Sequence, residues 1–223
     1  MPLHVLTVPQ AIAGTTAVLL IVVQLSLFRT VVISEMIRIY GFQSALVAIV
    51  SLAVGIDLAA WDLIVLAALT LVIKALILPA YMQTLVKNVS NRVELPARVN
   101  VLLSLMIASA LIGLAILAVA RLPLHEGAFL PTADLAATLA IVLVGFLLAI
   151  LRPNALAQAI AFLTLENGLF FGTVTLAPGL PLVIGILLLI DVAVAVAVFG
   201  VLVRFLVERH ETVSISVFER LRG

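Results

Sequence analysis

The chain has 223 residues, of which 65% are hydrophobic and 10% charged, with a formal net charge of +1 and a mean hydropathy of +1.39. Soluble domains are about 45–50% apolar and about 25% charged, so these values exclude a water-soluble fold, and no polar stretch is long enough to build a soluble core. The lack of cysteine excludes disulfides, thiolate metal sites and cysteine-ligated iron–sulfur clusters.

About 20 apolar residues cross a bilayer as a helix. That ruler predicts an all-α membrane protein with seven spans, close to Val8–Phe28, Gly41–Leu58, Asp62–Val86, Val99–Ala120, Asp134–Leu151, Asn154–Ala177 and Leu182–Val207. The first is too long for the apolar part of a signal peptide and has no Lys or Arg before it, so it reads as a permanent span. The run VAVAVAV after Asp191 alternates like a strand but sits inside a much longer apolar stretch, and length overrules the alternation. A barrel would need many short amphipathic segments, which are absent, so helices are the expected way across.

With seven spans the basic residues segregate. Arg29, Arg38, Lys87, Arg92, Arg98, Arg152, Arg204 and the arginines of the tail fall on one side, and Arg121 on the other. The positive-inside rule makes the first side cytoplasmic, with the N-terminus outside and the C-terminus inside. Asp57, Asp62, Glu126 and Asp134 then mark the outer face.

Three ionisable residues lie deep in the predicted spans: Lys74, Glu166 and Asp191. Lys74 is twelve residues from either end of its span, ~18 Å from each surface at 1.5 Å per residue. Glu166 is eleven residues before the outer end of the sixth span and Asp191 nine after the outer start of the seventh, ~16 and ~14 Å deep. The turn PGLP at 178–181 makes those two spans an antiparallel hairpin, so the carboxylates share a depth. A charge at a helix centre costs about 2.5–3.5 kcal/mol on insertion scales and usually faces a bundle interior or a water path. Thr70 and Tyr81 stand at i−4 and i+7 from Lys74, and Gln158 and Thr173 lie near the Glu166 face, as supports for bound water. Asn167 is placed either to orient Glu166 or to bond a neighbouring helix.

Three readings of this polar set stay open: a proton or sodium path, the binding site of an independent secondary transporter, and a static ion pair in a structural subunit. Nothing in the sequence requires the third and seventh spans to touch, so a network joined through water is expected ahead of a locked Lys74–Asp191 pair. Pro79, one turn past Lys74, is expected to kink its helix, and alanines 193 and 197 to allow close helix contact. His4, His125 and His210 fall in termini or loops and make no haem ligand set; no metal or cofactor is expected on this chain.

The motifs YGFQSALV at 40, IKALILP at 73, LTLENG at 163, IDVAVAV at 190 and the closing FERLRG resemble component E of hydrogenase-4, a membrane subunit of group 4 nickel–iron hydrogenase complexes. The resemblance covers nearly the whole chain and is weakest before Tyr40. From about Asp134 onward the chain also resembles the three-helix K subunit of NADH:quinone oxidoreductase (complex I) and the matching Mrp-type antiporter subunit, with RPN at 152, Glu166, Asp191 and the tail RLRG in the same order, which implies a four-helix region over 1–133 and a three-helix region over 134–223. The resemblance implies that Glu166 and Asp191 stand where the K subunit's carboxylates lie on the hydrophilic axis coupling quinone reduction to proton pumping. It also implies partners: antiporter-like membrane subunits, a membrane subunit like complex I's H subunit, and a hydrogenase-like peripheral arm, with no nucleic acid. Two departures stand out. Glu166 is about one helical turn further from RPN than in the K pattern, and the second acid is Asp where K has Glu. Lys74 lies outside the K-like part and rests on the component E resemblance alone.

Overall fold

A computed structural model describes residues 8–87, 100–122, 132–152 and 154–176, with 187, 190–191, 193–202 and 204. They are 93% helical, with no strand among them. Helix α1 is Val8–Arg29, α2 Ile33–Asp57, and α3 Trp61–Leu69 passes through a π-helical segment, Thr70–Ile77, into α4 Leu78–Lys87. Helices α5 Val101–Ala120, α6 Thr132–Leu151 and α7 Ala155–Leu176 follow, and α8 is Ala193–Leu202. Among the described residues six stretches are long and apolar enough to cross a membrane, with Trp61–Lys87 counting as one continuous span. The chain is therefore an all-α, multi-span membrane protein. The seventh predicted span is described only in part, and its described residues are helical; the PGLP turn, the three histidines and the tail beyond 204 lie outside the described residues.

The second helix begins at Ile33 rather than at the predicted Gly41. Hydropathy marks where side chains become apolar, whereas the backbone goes on pairing its own polar groups toward the interface. The helix opens with the amides of Glu35 and Met36 donating to the Val32 carbonyl, so Arg38 and Tyr40 sit on its first turns.

Helix α7 is central: 67% of its apolar window is buried, against 17% for α5 at the periphery. Helices α6 and α7 pack most extensively, and α2 also packs closely on α7. Gly168 makes the α6 approach possible, because a Cβ there would lie 2.5 Å from Ile141 Cγ2. At the basic end, Arg152 donates from Nη2 to the carbonyls of Leu27 and Thr30 (2.8 Å for Thr30), tying the end of α6 to the end of α1. Burial lowers the Arg152 pKa from its ordinary value.

The core is divided in depth. One apolar cluster holds Leu27, Met36, Ile37, Leu148, Ile160 and Phe199, the other Ala17, Leu20, Val47, Val50, Leu66 and Phe171. Gln24 of α1, Gln43 and Ser44 of α2, Thr164 and Asn167 of α7, and Thr70 and Lys74 of the π segment are all buried between the residues each helix gives to the two clusters. The bundle is a polar layer between two apolar ones.

Candidate functional site

The charge of the polar layer lies where side chains of the π segment, of α7 and of Asp191, two residues before α8, converge. Lys74 lies thirteen residues from both Trp61 and Lys87, ~20 Å from each end of its span. Its side chain is completely buried, and Nζ donates to Glu166 Oε1 and lies 3.7 Å from Asp191 Oδ2. The structure thus brings all three predicted ionisable residues into one cluster. It also brings Lys74 and Asp191 closer than the sequence required: the single ammonium donates to Glu166 and stands in ion-pair range of Asp191, beyond hydrogen-bond distance.

The local backbone explains how a lysine comes to face inward here. Before the π segment the buried positions keep helical spacing, Leu63, Leu66 and Ala67; from Thr70 onward they step by four, Thr70, Lys74, Leu78 and Met82, with Pro79 beside Leu78. On an α-helix each such step slips about 40° round the axis, so the series would turn off the core face within a few steps. The wider π turns over Thr70–Ile77 absorb part of that slip. Pro79 follows immediately, and α2 approaches closely at this point: a Cβ on Gly41 would stand 3.0 Å from Pro79 Cγ and 3.1 Å from the Ala75 carbonyl oxygen. The disturbance of the helical ladder thus begins ahead of the proline, at Thr70.

Of the proposed supports, Thr70 is buried one turn before Lys74, with its hydroxyl lacking a hydrogen-bond partner among the described residues. Asn167 points away from the charges and donates to Ser44 Oγ of α2 at 2.9 Å, so it is a helix-to-helix bond rather than an orienter of Glu166. Gln158 donates to the Arg152 carbonyl at 2.8 Å and Thr173 to the Leu169 carbonyl at 2.8 Å, so neither joins the cluster. Each finds a closer backbone acceptor on its own stretch of chain. Tyr81 is 37% exposed and its hydroxyl lies beside Gly200, nine residues beyond Asp191. Alanines 193 and 197 are exposed; Phe199 is the buried residue of α8.

Residues that sequence reading passed over complete the layer. Gln43 Nε2 donates to Gln24 Oε1 at 2.7 Å, and Gln24 Nε2 donates to Thr164 Oγ1 at 3.1 Å, linking α2, α1 and α7. Tyr40 is fully buried, within electrostatic reach of Glu166 and Asp191. Glutamines in mid-span are a legible signal, since an amide in lipid needs a partner; Tyr40 carries no such signal. Buried polar atoms with no hydrogen-bond partner among the described residues concentrate here: Tyr40 Oη, Gln43 Oε1, Thr70 Oγ1, Glu166 Oε2, Asn167 Oδ1 and Asp191 Oδ2. An unpaired polar atom inside a bilayer is costly, and such atoms are the sites at which a water or a proton gains most by binding.

Chemically, the cluster can exchange partners. If Glu166 takes up a proton, Lys74 keeps Asp191 as counter-ion at 3.7 Å; if Asp191 takes it, Lys74 keeps Glu166. Among the described residues no group of His, Cys, Asp and Glu is placed to hold a metal ion. Comparison of the chain with family models, with curated proteins and with solved structures finds no match.

Proposed function

We propose that the chain is a non-redox membrane subunit of a complex-I-like or group 4 hydrogenase-type respiratory assembly in a prokaryotic cytoplasmic membrane. In this reading its basic helix ends face the cytoplasm, and Lys74, Glu166 and Asp191 form part of a proton or sodium path. The observation that carries the reading is one buried lysine held between two carboxylates at mid-membrane, bordered by hydroxyl and carboxylate oxygens that lack partners. Static packing calls for neutralised, fully bonded groups, whereas a path needs groups that can change partner. The sequence motifs support the same assignment, with antiporter-like subunits, an H-like membrane subunit and a hydrogenase-like arm as partners that supply the redox centres.

The direct contact of Lys74 with both acids favours one second reading, a static cluster that locks the π segment to α7. The two readings differ in what the neutralised cluster does, which the Lys74 variants below measure. Assembly itself is tested by purifying the chain from its native membrane in mild detergent: this proposal expects it to travel with antiporter-like and hydrogenase-like chains. Migration as a lone polypeptide would overturn the proposal.

A further inference from the structure

The cluster is closed on one side and open on the other. Lys74 is fully buried, while the side chains of Glu166 and Asp191 are 26% and 31% exposed. Both acids line a cleft of about 230 Å³ between α7 and α8, with Phe162, Val194 and Val198 on its rim and Ala159 and Ala195 in its wall. The rim is apolar and exposed, Phe162 by 52% and Val194 by 54%, as suits a surface at the depth of the hydrocarbon. Small side chains in the wall allow another helix backbone to come close.

The charges do not balance. With both acids ionised, one lysine and two carboxylates sum formally to −1, a state the cluster itself can leave only by taking up a proton, and Lys74 is the one cation in ion-pair range of the acids among the described residues. Glu166 Oε2 and Asp191 Oδ2 are buried within the cluster and accept no hydrogen bond, so Lys74 alone does not satisfy the two carboxylates, whose side chains reach the cleft. Lipid tails can neither neutralise nor hydrogen-bond such a surface. A second copy of this chain docked through the same cleft would bring another net negative charge against the first.

We infer that the α7–α8 cleft is the docking surface for a transmembrane helix of a partner subunit that carries a lysine or arginine at mid-membrane depth. That cation faces Glu166 and Asp191 from outside the bundle and brings the cluster to two positive and two negative groups, while the helix covers Phe162, Val194 and Val198. The inference rests on the reading of the chain as a subunit of a membrane assembly, but not on ion conduction. The charges of the cleft also set specificity: a helix with no cation at that depth leaves the acids uncompensated, and one with an acid is repelled.

The test is photo-crosslinking in native membranes that hold the intact assembly. A benzophenone amino acid is placed at Val194 or Val198, both exposed enough to tolerate it, and for comparison at Leu103 and Met106 on the exposed face of α5. The expected product from 194 and 198 is a single transmembrane peptide of another subunit, joined within about one helical turn of a Lys or Arg. Three results overturn the inference alone: a second copy of this chain captured from the cleft, a partner helix without a cation within about two turns, or lipid from the cleft while α5 captures protein. Lipid from all four positions overturns both the inference and the reading of the chain as a subunit.

Discussion

Replacing Lys74 with methionine is the sharpest perturbation available to this bundle. The side chain is completely buried and is the one ammonium in contact with both Glu166 and Asp191. Its loss places two carboxylates beside each other in a low-dielectric layer. Breaking a buried ion pair costs about 3–5 kcal/mol, because the remaining charge stays desolvated without compensation. At 1.36 kcal/mol per factor of ten, that lowers the folded-to-unfolded ratio by about two to four orders of magnitude, a large share of the roughly 5–15 kcal/mol that ordinarily holds a protein folded. Only part of the charge needs removing for partial recovery. Lys74→Met with Glu166→Gln should regain some stability, since Asp191 is the more exposed acid, and the triple variant adding Asp191→Asn should regain most of it. The assay is the fraction that stays monodisperse in detergent after a series of heating steps. Lys74→Met as stable as the parent, or a triple variant no better than Lys74→Met, would refute the argument that these three charges compensate one another. The triple variant also separates the two functional readings: one that assembles yet no longer translocates ions fits a path, and one that does both fits a static cluster.

Three further outcomes follow from the packing. Asn167→Ala removes the bond to Ser44 and should lower stability by about 0.6–2 kcal/mol, read as a modest drop in melting temperature with ion translocation largely kept, because Asn167 faces α2 and not the charges. Gly168→Leu drives a side chain into Ile141 and should sharply reduce the yield of folded protein on size exclusion, whereas Gly113→Ala, with nothing within 4 Å of its new Cβ, should be neutral or stabilise by roughly 0.5–1 kcal/mol. Arg152→Lys keeps the charge but loses the guanidinium that bonds Leu27 and Thr30 together, and should raise protease cleavage near the end of α1; an unchanged cleavage pattern would show that charge alone holds that end.

Spans and depths were legible in the sequence because both are one-dimensional. Apolar length fixes a crossing, and counting residues at a constant rise puts Lys74, Glu166 and Asp191 in one layer, as found. Rotation about each helix axis was not legible. These helices are apolar nearly all round, so no polar stripe says which way a residue points: Asn167, next to Glu166 in sequence, bonds α2, and Gln158 and Thr173, close to the Glu166 face on a helical wheel, bond backbone nearby. The direct Lys74–Asp191 approach was missed because it depends on which helices touch. The π segment left no trace in the spacing: the buried residues Leu63, Leu66, Ala67, Thr70, Lys74, Leu78 and Met82 keep the three- and four-residue steps of an ordinary helix. Gln24 and Gln43 were readable as mid-span amides, but their joining through Thr164 depends on the packing of α1, α2 and α7.

The claim that Glu166 is a protonatable station in an ion path is tested most directly by Glu166→Gln in the intact assembly reconstituted into vesicles. The substitution is nearly isosteric and leaves the Lys74–Asp191 pair at 3.7 Å, so the subunit should still fold and assemble. Electron transfer to an artificial acceptor and ion movement across the membrane are then measured on the same preparation. The account predicts that electron transfer persists while the number of ions moved per electron collapses; an unchanged ratio would contradict it.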